Sequence, residues 1–206
     1  MTGNDIPRLH LISDRQSCPL DLFPQLAALA VAGGVDAVHL REKDVASGEL
    51  LAAARALRDS IGTARFFVND RVDIAMLSNA SGVQLGEASI SVADARELSR
   101  GRLLIGRSVH DLDGARRAYS DGADFIVAGH VFQTSSKAGQ PARGLQFIEA
   151  LVSVCPLPVI AIGGITPARV AQVIQSGAHG VAVQSGILRA DEPREAARCY
   201  VAAMSR

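Results

Sequence analysis

Short apolar runs recur along the chain, and a longer stretch with helical spacing follows each. The runs cover residues 8–13, 37–41, 65–69, 82–86, 103–106, 124–128, 158–162 and 180–184. They are rich in β-branched residues and too short for helices, so they predict strands. Between them, Leu22, Phe23, Leu26, Leu29 and Ala30 fall on one side of a helix that Gly33-Gly34 ends. Ser91 followed by Asp94 has the pattern of a capping box. Thr166 and Pro167 predict an N-cap and a first-turn proline, and Val170, Val173 and Ile174 continue as an apolar stripe towards Gly177. Strands alternating with helices predict a parallel sheet. An open doubly wound sheet and a closed barrel both fit the alternation. Eight units without a long insertion favour the closed form, an α/β (β/α)8 TIM barrel with residues 1–206 as one domain.

Composition narrows the partners. With 206 residues, 48% hydrophobic and 20% charged, a packed core is expected rather than disorder. Basic and acidic residues balance at 21 each, so there is no bulk basic field for nucleic acid or acidic lipid. An aromatic content of 4% without Trp disfavours a base-stacking platform. No apolar run reaches the length of a membrane span, and residues 1–7 lack the pattern of a secretory signal. Cys18, Cys155 and Cys199 are odd in number and widely spaced, which suggests neither a disulfide framework nor a zinc site. The expectation is a cytoplasmic protein with a small-molecule ligand and neither nucleic acid nor membrane as partner. Small barrels commonly associate, so a homo-oligomer stays open.

In such a barrel, chemistry sits in the loops after the strands. That rule sorts the histidines. His10 lies inside the first strand and His179 precedes the last, whereas His39, His110 and His130 stand at or past strand ends. Each is either an acid/base group or a solvated or structural residue. By period-two spacing, His39, Arg41 and Lys43 share a face at the end of the second strand. Two cations there suit a phosphate or carboxylate, or else Arg41 pairs inside the barrel with an acidic side chain. Gly163-Gly164 after the seventh strand and Ser185-Gly186 after the eighth bring backbone N–H groups to the positions where barrels bind phosphate. The loop from Gly129 to Gly139 offers His130, the hydroxyls of Thr134, Ser135 and Ser136, and the ammonium of Lys137.

Several segments together resemble the thiamine phosphate synthase superfamily. They are His39-Leu40-Arg41-Glu42-Lys43, Asn69-Asp70, residues 82–86, Gly106-Arg107-Ser108-Val109-His110, Gly129-His130-Val131-Phe132, and residues 134–137, 158–166 and 180–187. The resemblance spans nearly the whole chain and implies a (β/α)8 barrel of thiamine biosynthesis. It has two branches. Synthases join a pyrimidine pyrophosphate to a thiazole phosphate and use Mg²⁺ held by two Asp residues. Asp70 matches the first of these, but Ser89 stands where the second is expected, which weakens a metal site unless Glu87 compensates.

The other branch, the TenI-type thiazole tautomerases, has Gly-His-Val-Phe after the sixth strand, as here. It also matches residues 141–144 and 182–187, with Gln184 a small departure. On this likeness the chain is expected to be a tautomerase, an isomerase. It would turn a dihydrothiazole carboxylate phosphate into the aromatic thiazole by proton transfer through His130, with no metal or organic cofactor. The resemblance places Gly164 and Ser185 at the phosphate, and Arg41, Lys43, Ser108, Thr134, Ser136 and Lys137 around the pocket. The competing expectations are a Mg²⁺-dependent thiamine phosphate synthase, with Asp70 as metal ligand, and a non-catalytic sensor of thiazole phosphate.

Overall fold

The computed structural model describes residues 6–137 and 139–204. The ends of the span 1–206 therefore lie outside the described residues. Eight parallel strands close into a barrel in sequence order: β1 Leu9–Ile12, β2 Ala37–Leu40, β3 Arg65–Asn69, β4 Gly82–Leu85, β5 Leu104–Val109, β6 Phe125–Gly129, β7 Val159–Ile162 and β8 Gly180–Val183. Closure is made by β1 pairing with β8, Leu9 opposite Val181 and Leu11 opposite Val183. The helices are α1 Phe23–Ala32, α2 Ser47–Ser60, α3 Val72–Leu77, α4 Val92–Ser99, α5 Leu112–Ser120, α6 Leu145–Val154, α7 Pro167–Gln175, α8 Ser185–Leu188 and α9 Pro193–Met204. The (β/α)8 barrel expected from the alternation is the observed fold, and the open sheet is excluded.

Two cores follow from the alternation of side chains along each strand. Outward residues such as Leu11, Val38, Val68, Val83, Ile105 and Val181 pack under the helices. Inward residues, among them Ile12, Phe67, Phe125, Ile160 and Ala182, fill the barrel. The rings of Phe67 and Phe125 meet edge to face with centroids 5.4 Å apart. They fit because Gly82 and Gly106 leave out the side chains that would overlap them. At the opposite end from the site, the Asp36 carboxylate accepts from the N–H groups of Arg8 and Leu9 at 2.9 and 2.7 Å, tying β1 to the start of β2.

Local signals came through unevenly. Ser91 caps α4 by accepting from the Asp94 N–H at 3.0 Å, as its spacing predicts. Thr166 stands at the N-cap of α7, but its side chain makes no capping bond. On α1 the buried residues are Phe23, Ala27 and Ala30, whereas Leu22 and Leu29 are about half exposed (51% each). Leu22 precedes the first helical turn, and the arc that meets the barrel runs i, i+4, i+7 from Phe23. The predicted stripe was therefore turned part of the way round the helix.

Candidate active site

β2 ends at Leu40, so the alternation expected to align His39, Arg41 and Lys43 stops there. His39 is buried inside the barrel, while Arg41 and Lys43 are exposed on its C-terminal rim. Glu42 turns inwards instead. Its side chain is only 4% exposed, accepts from Ser13 Oγ at 2.7 Å and pairs with Arg15 Nε at 2.7 Å. Ser13 Oγ in turn accepts from the Arg41 N–H at 2.8 Å. The backbone of the β2–α2 loop is thus fixed by a carboxylate and a hydroxyl that the spacing did not single out. Among the described residues Arg41 makes no inward ion pair; the buried Glu42 carboxylate pairs instead with Arg15, whose side chain is 44% exposed.

At the end of β3, Asp70 adopts a left-handed conformation with φ 62°, which Asp tolerates better than most residues. Its Oδ1 accepts from the Gly86 N–H at 2.8 Å and from the Ser89 hydroxyl, and its Oδ2 accepts from the Asn69 amide. Ser89 therefore lies directly against Asp70, where the second carboxylate of a metal pair would stand. Glu87 does not replace it. Its side chain is 81% exposed and lies 3.7 Å from His110 Nε2 on the outer rim. Among the described residues no cluster of three or more His, Cys, Asp or Glu could enclose a metal ion.

The β6–α6 loop is pinned to β7. The N–H groups of Val131 and Phe132 donate to the carbonyls of Ile162 and Gly163 at 2.9 and 3.0 Å. His130 is half-buried at the rim, its Nε2 3.3 Å from the Gln140 carbonyl. Thr134 and Ser136 share a hydroxyl–hydroxyl bond of 3.2 Å, and Ser135–Lys137 forms one 3₁₀ turn with Lys137 exposed. Ser108 accepts from Gln84 Nε2 at 3.1 Å. Among the described residues, no carboxylate forms an ion pair with Arg41, Lys43 or Lys137. These three cations remain available to an anionic ligand.

Gly163 and Gly164 both have positive φ, 104° and 63°. A side chain on Gly163 would overlap His130, and one on Gly164 would overlap the Gln133 carbonyl. The turn therefore packs its backbone against the base of the β6–α6 loop. Among the described residues no backbone carbonyl accepts from the N–H groups of Gly163, Gly164, Ile165, Ser185 or Gly186. Consecutive N–H groups left open in this way form an anion-binding concavity.

Beneath this face lies a polar pair that spacing alone did not reveal. His10 Nε2 lies 2.9 Å from the Pro7 carbonyl, and His10 Nδ1 lies 2.8 Å from His39 Nε2. A carbonyl only accepts, so His10 carries its proton on Nε2 and His39 donates to Nδ1. The His39 ring stacks on Phe67 with centroids 4.8 Å apart. Burial holds both imidazoles neutral. It lowers His10 to about 4 against partial opposition from the Pro7 hydrogen bond and Asp36, and it pushes His39 well below its ordinary value, with His10 adding to the effect.

A closed (β/α)8 barrel with open N–H groups and unpaired cations around one mouth defines the class of the molecule. Residues 9–187 match the family described as "Thiamine monophosphate synthase". A thiamine-phosphate synthase of Methanoculleus marisnigri is 43% identical over 194 residues, covering 92% of each chain. One from Chlorobium luteolum is 39% identical over 208 residues, covering 100% of this chain and 96% of its own. The solved structure of a thiamine phosphate pyrophosphorylase from Pyrococcus furiosus superposes with a TM-score of 0.88 at 33% identity, over 96% of this chain and 95% of that one. The chain belongs to the thiamine monophosphate synthase family.

These likenesses overturn the expected tautomerase assignment. The relatives are named as synthases, which are transferases, and so the isomerase reading falls. That reading rested on His130 with its flanking motif, on residues 141–144 and 182–187 and on Ser89, whereas the likeness to a named synthase extends over 208 aligned residues.

Proposed function

We propose that the chain, as one domain over residues 1–206, is a cytosolic thiamine phosphate synthase. It joins a pyrimidine diphosphate to a thiazole phosphate and releases pyrophosphate. The observation that carries this reading is the carboxylate of Asp70 fixed at one strand end, with three unpaired cations on loops of the same face. In the reaction, the bond between the pyrimidine methylene carbon and the diphosphate oxygen breaks, and the diphosphate leaves with the electron pair. The thiazole nitrogen lone pair forms the new C–N bond. No proton moves in this exchange, so His130 is not needed as a base. It contributes to the wall beside Gly163.

Arg41, Lys43 and Lys137 would neutralise the diphosphate, and their charge is most effective once the substrate excludes water from the mouth. The N–H groups around Gly163, Gly164, Ser185 and Gly186 would take the thiazole phosphate. The hydroxyls of Ser108, Thr134 and Ser136 would line the space between. Asp70 and Ser89 supply one carboxylate and one hydroxyl. That set fits a Mg²⁺ held largely by the diphosphate itself, since Mg²⁺ is often bound through one or two carboxylates plus substrate phosphates. Bound there, the ion would neutralise charge on the departing diphosphate.

The test is incubation of the protein with both substrates, with and without Mg²⁺, and detection of thiamine phosphate by mass. Product that forms with Mg²⁺ and disappears with EDTA supports the reading. Absence of product under both conditions overturns it.

A further inference from the structure

The open N–H groups after β7 need an explanation of their direction. The glycine turn could equally present its carbonyls to the mouth, and carbonyls would repel a phosphate. Two side chains from the outer helical layer prevent this. Arg169, on the first turn of α7, donates from its guanidinium to the Gly164 carbonyl at 2.8 Å. Its guanidinium also lies over the Phe132 ring, 4.5 Å from the centroid, which fixes the side chain between two loops. Tyr200, on α9 and almost wholly buried, donates from its hydroxyl to the Ile165 carbonyl at 3.0 Å. The same hydroxyl occupies the space a side chain on Gly186 would fill, so it lies against the start of α8 as well.

In a planar trans peptide, the C=O of one residue and the N–H of the next point in opposite directions. Holding the Gly164 carbonyl towards α7 therefore turns the Ile165 N–H away from the helical layer. Holding the Ile165 carbonyl towards α9 does the same for the Thr166 N–H. Neither N–H donates to a backbone carbonyl among the described residues. We infer that Arg169 and Tyr200 are positioning residues: they clamp the carbonyls of the 164–166 turn against the helices so that its N–H groups face a bound phosphate monoester. The clamp rests on the phosphate cradle proposed above and assigns it two supports that never touch the ligand. Arg169 also links it mechanically to the β6–α6 loop through Phe132.

The test uses Arg169→Gln, Arg169→Lys and Tyr200→Phe in the full chain. Inorganic phosphate is titrated while the backbone amide resonances of Ile165 and Thr166 are followed, a readout that requires no turnover. The unsubstituted protein should show saturable shifts at both amides. Arg169→Gln and Tyr200→Phe should weaken phosphate binding about tenfold and about fivefold, in the range expected for loss of one orienting hydrogen bond. Arg169→Lys, which keeps a donor, should recover most of the loss. In turnover, the KM for thiazole phosphate should rise by similar factors while the KM for the pyrimidine diphosphate and the saturated kcat stay within about twofold. Unchanged phosphate binding in both variants, no amide shifts in the unsubstituted protein, or parallel rises in both KM values with a lowered Tm would each overturn the clamp. A protein that binds phosphate as described yet makes no thiamine phosphate would overturn the synthase reading and leave the clamp standing.

Discussion

His10 Nδ1 and His39 Nε2 lie 2.8 Å apart in the middle of the barrel, with the Pro7 carbonyl as the outer acceptor of the chain. An additional proton on His10 Nδ1 would break its bond to His39 and leave a buried charge. His10 titrates at about 4 when folded and near 6.5 when free. Between those values the unfolded chain binds more protons than the folded one, so stability falls as the pH drops from about 6.5 to about 4. One pH unit corresponds to about 1.4 kcal/mol, so His10 alone accounts for roughly 3 kcal/mol over that interval. His39 acts in the same direction. Urea titrations at pH 7.5 and pH 4.5 should differ by at least this order, and His10→Asn should flatten the dependence. Equal stability at the two pH values would contradict the neutral pair.

The barrel was legible in the sequence because it depends on a repeated pattern that errors at single residues do not disturb. The rim was less so. Period-two alternation is a property of paired strand, and at Leu40 the pairing ends. Arg41 and Lys43 then follow loop geometry, and Glu42 rather than Arg41 turns inwards. The glycine turns were recognisable because Gly163 and Gly164 occupy conformations that other residues resist. Their supports were not, because Arg169 and Tyr200 reach the turn from helices 5 and 35 residues beyond the carbonyls they hold. The contact between Asp70 and Ser89 could be read as a substitution but not as geometry, since it joins two loops 19 residues apart.

Glu42 should be worth about as much to substrate binding as to stability. It shapes the rim by anchoring Ser13, which accepts from the Arg41 N–H. Its partner Arg15 is 44% exposed, so the ion pair itself contributes little. Removing Glu42 leaves the Ser13 O–H without its carboxylate acceptor and loosens the backbone that carries Arg41 and Lys43. Glu42→Ala is expected to cost about 1–2 kcal/mol and to raise the KM for the pyrimidine diphosphate roughly tenfold, with a smaller effect on thiazole phosphate. Steady-state kinetics with each substrate varied separately will check the asymmetry.

Gln84 presents the opposite case. Its Nε2 donates to Ser108, but its Oε1 is buried without a partner among the described residues. An unpaired buried acceptor costs about as much as an ordinary hydrogen bond contributes. Gln84→Met, which keeps length and removes both polar atoms, should therefore leave stability within about 1 kcal/mol. A chemical denaturation series will measure it. A loss of several kcal/mol would mean that Oε1 is satisfied in solution by an ordered water.

Ser89→Asp tests whether Ser89 faces the metal. The Ser89 hydroxyl touches Asp70, so a carboxylate at this position opposes another at close range. Without a divalent cation the two repel, and a cost of about 1 kcal/mol would lower the Tm by roughly 3 °C in a chain of this size. With Mg²⁺ the same pair becomes two hard anionic ligands, and binding to the folded state alone restores stability. The variant should therefore melt below the parent in EDTA and at or above it in millimolar Mg²⁺. The Mg²⁺ concentration for half-maximal synthase activity should fall about tenfold, because the protein would hold the ion less dependently on the diphosphate. Glu87→Gln is the control. That carboxylate is 81% exposed on the outer rim, so neither its melting nor its Mg²⁺ requirement should change. If Ser89→Asp shows no Mg²⁺-dependent stabilisation and an unaltered Mg²⁺ requirement, the ion does not sit between β3 and β4, and Asp70 serves only to tie the two loops together.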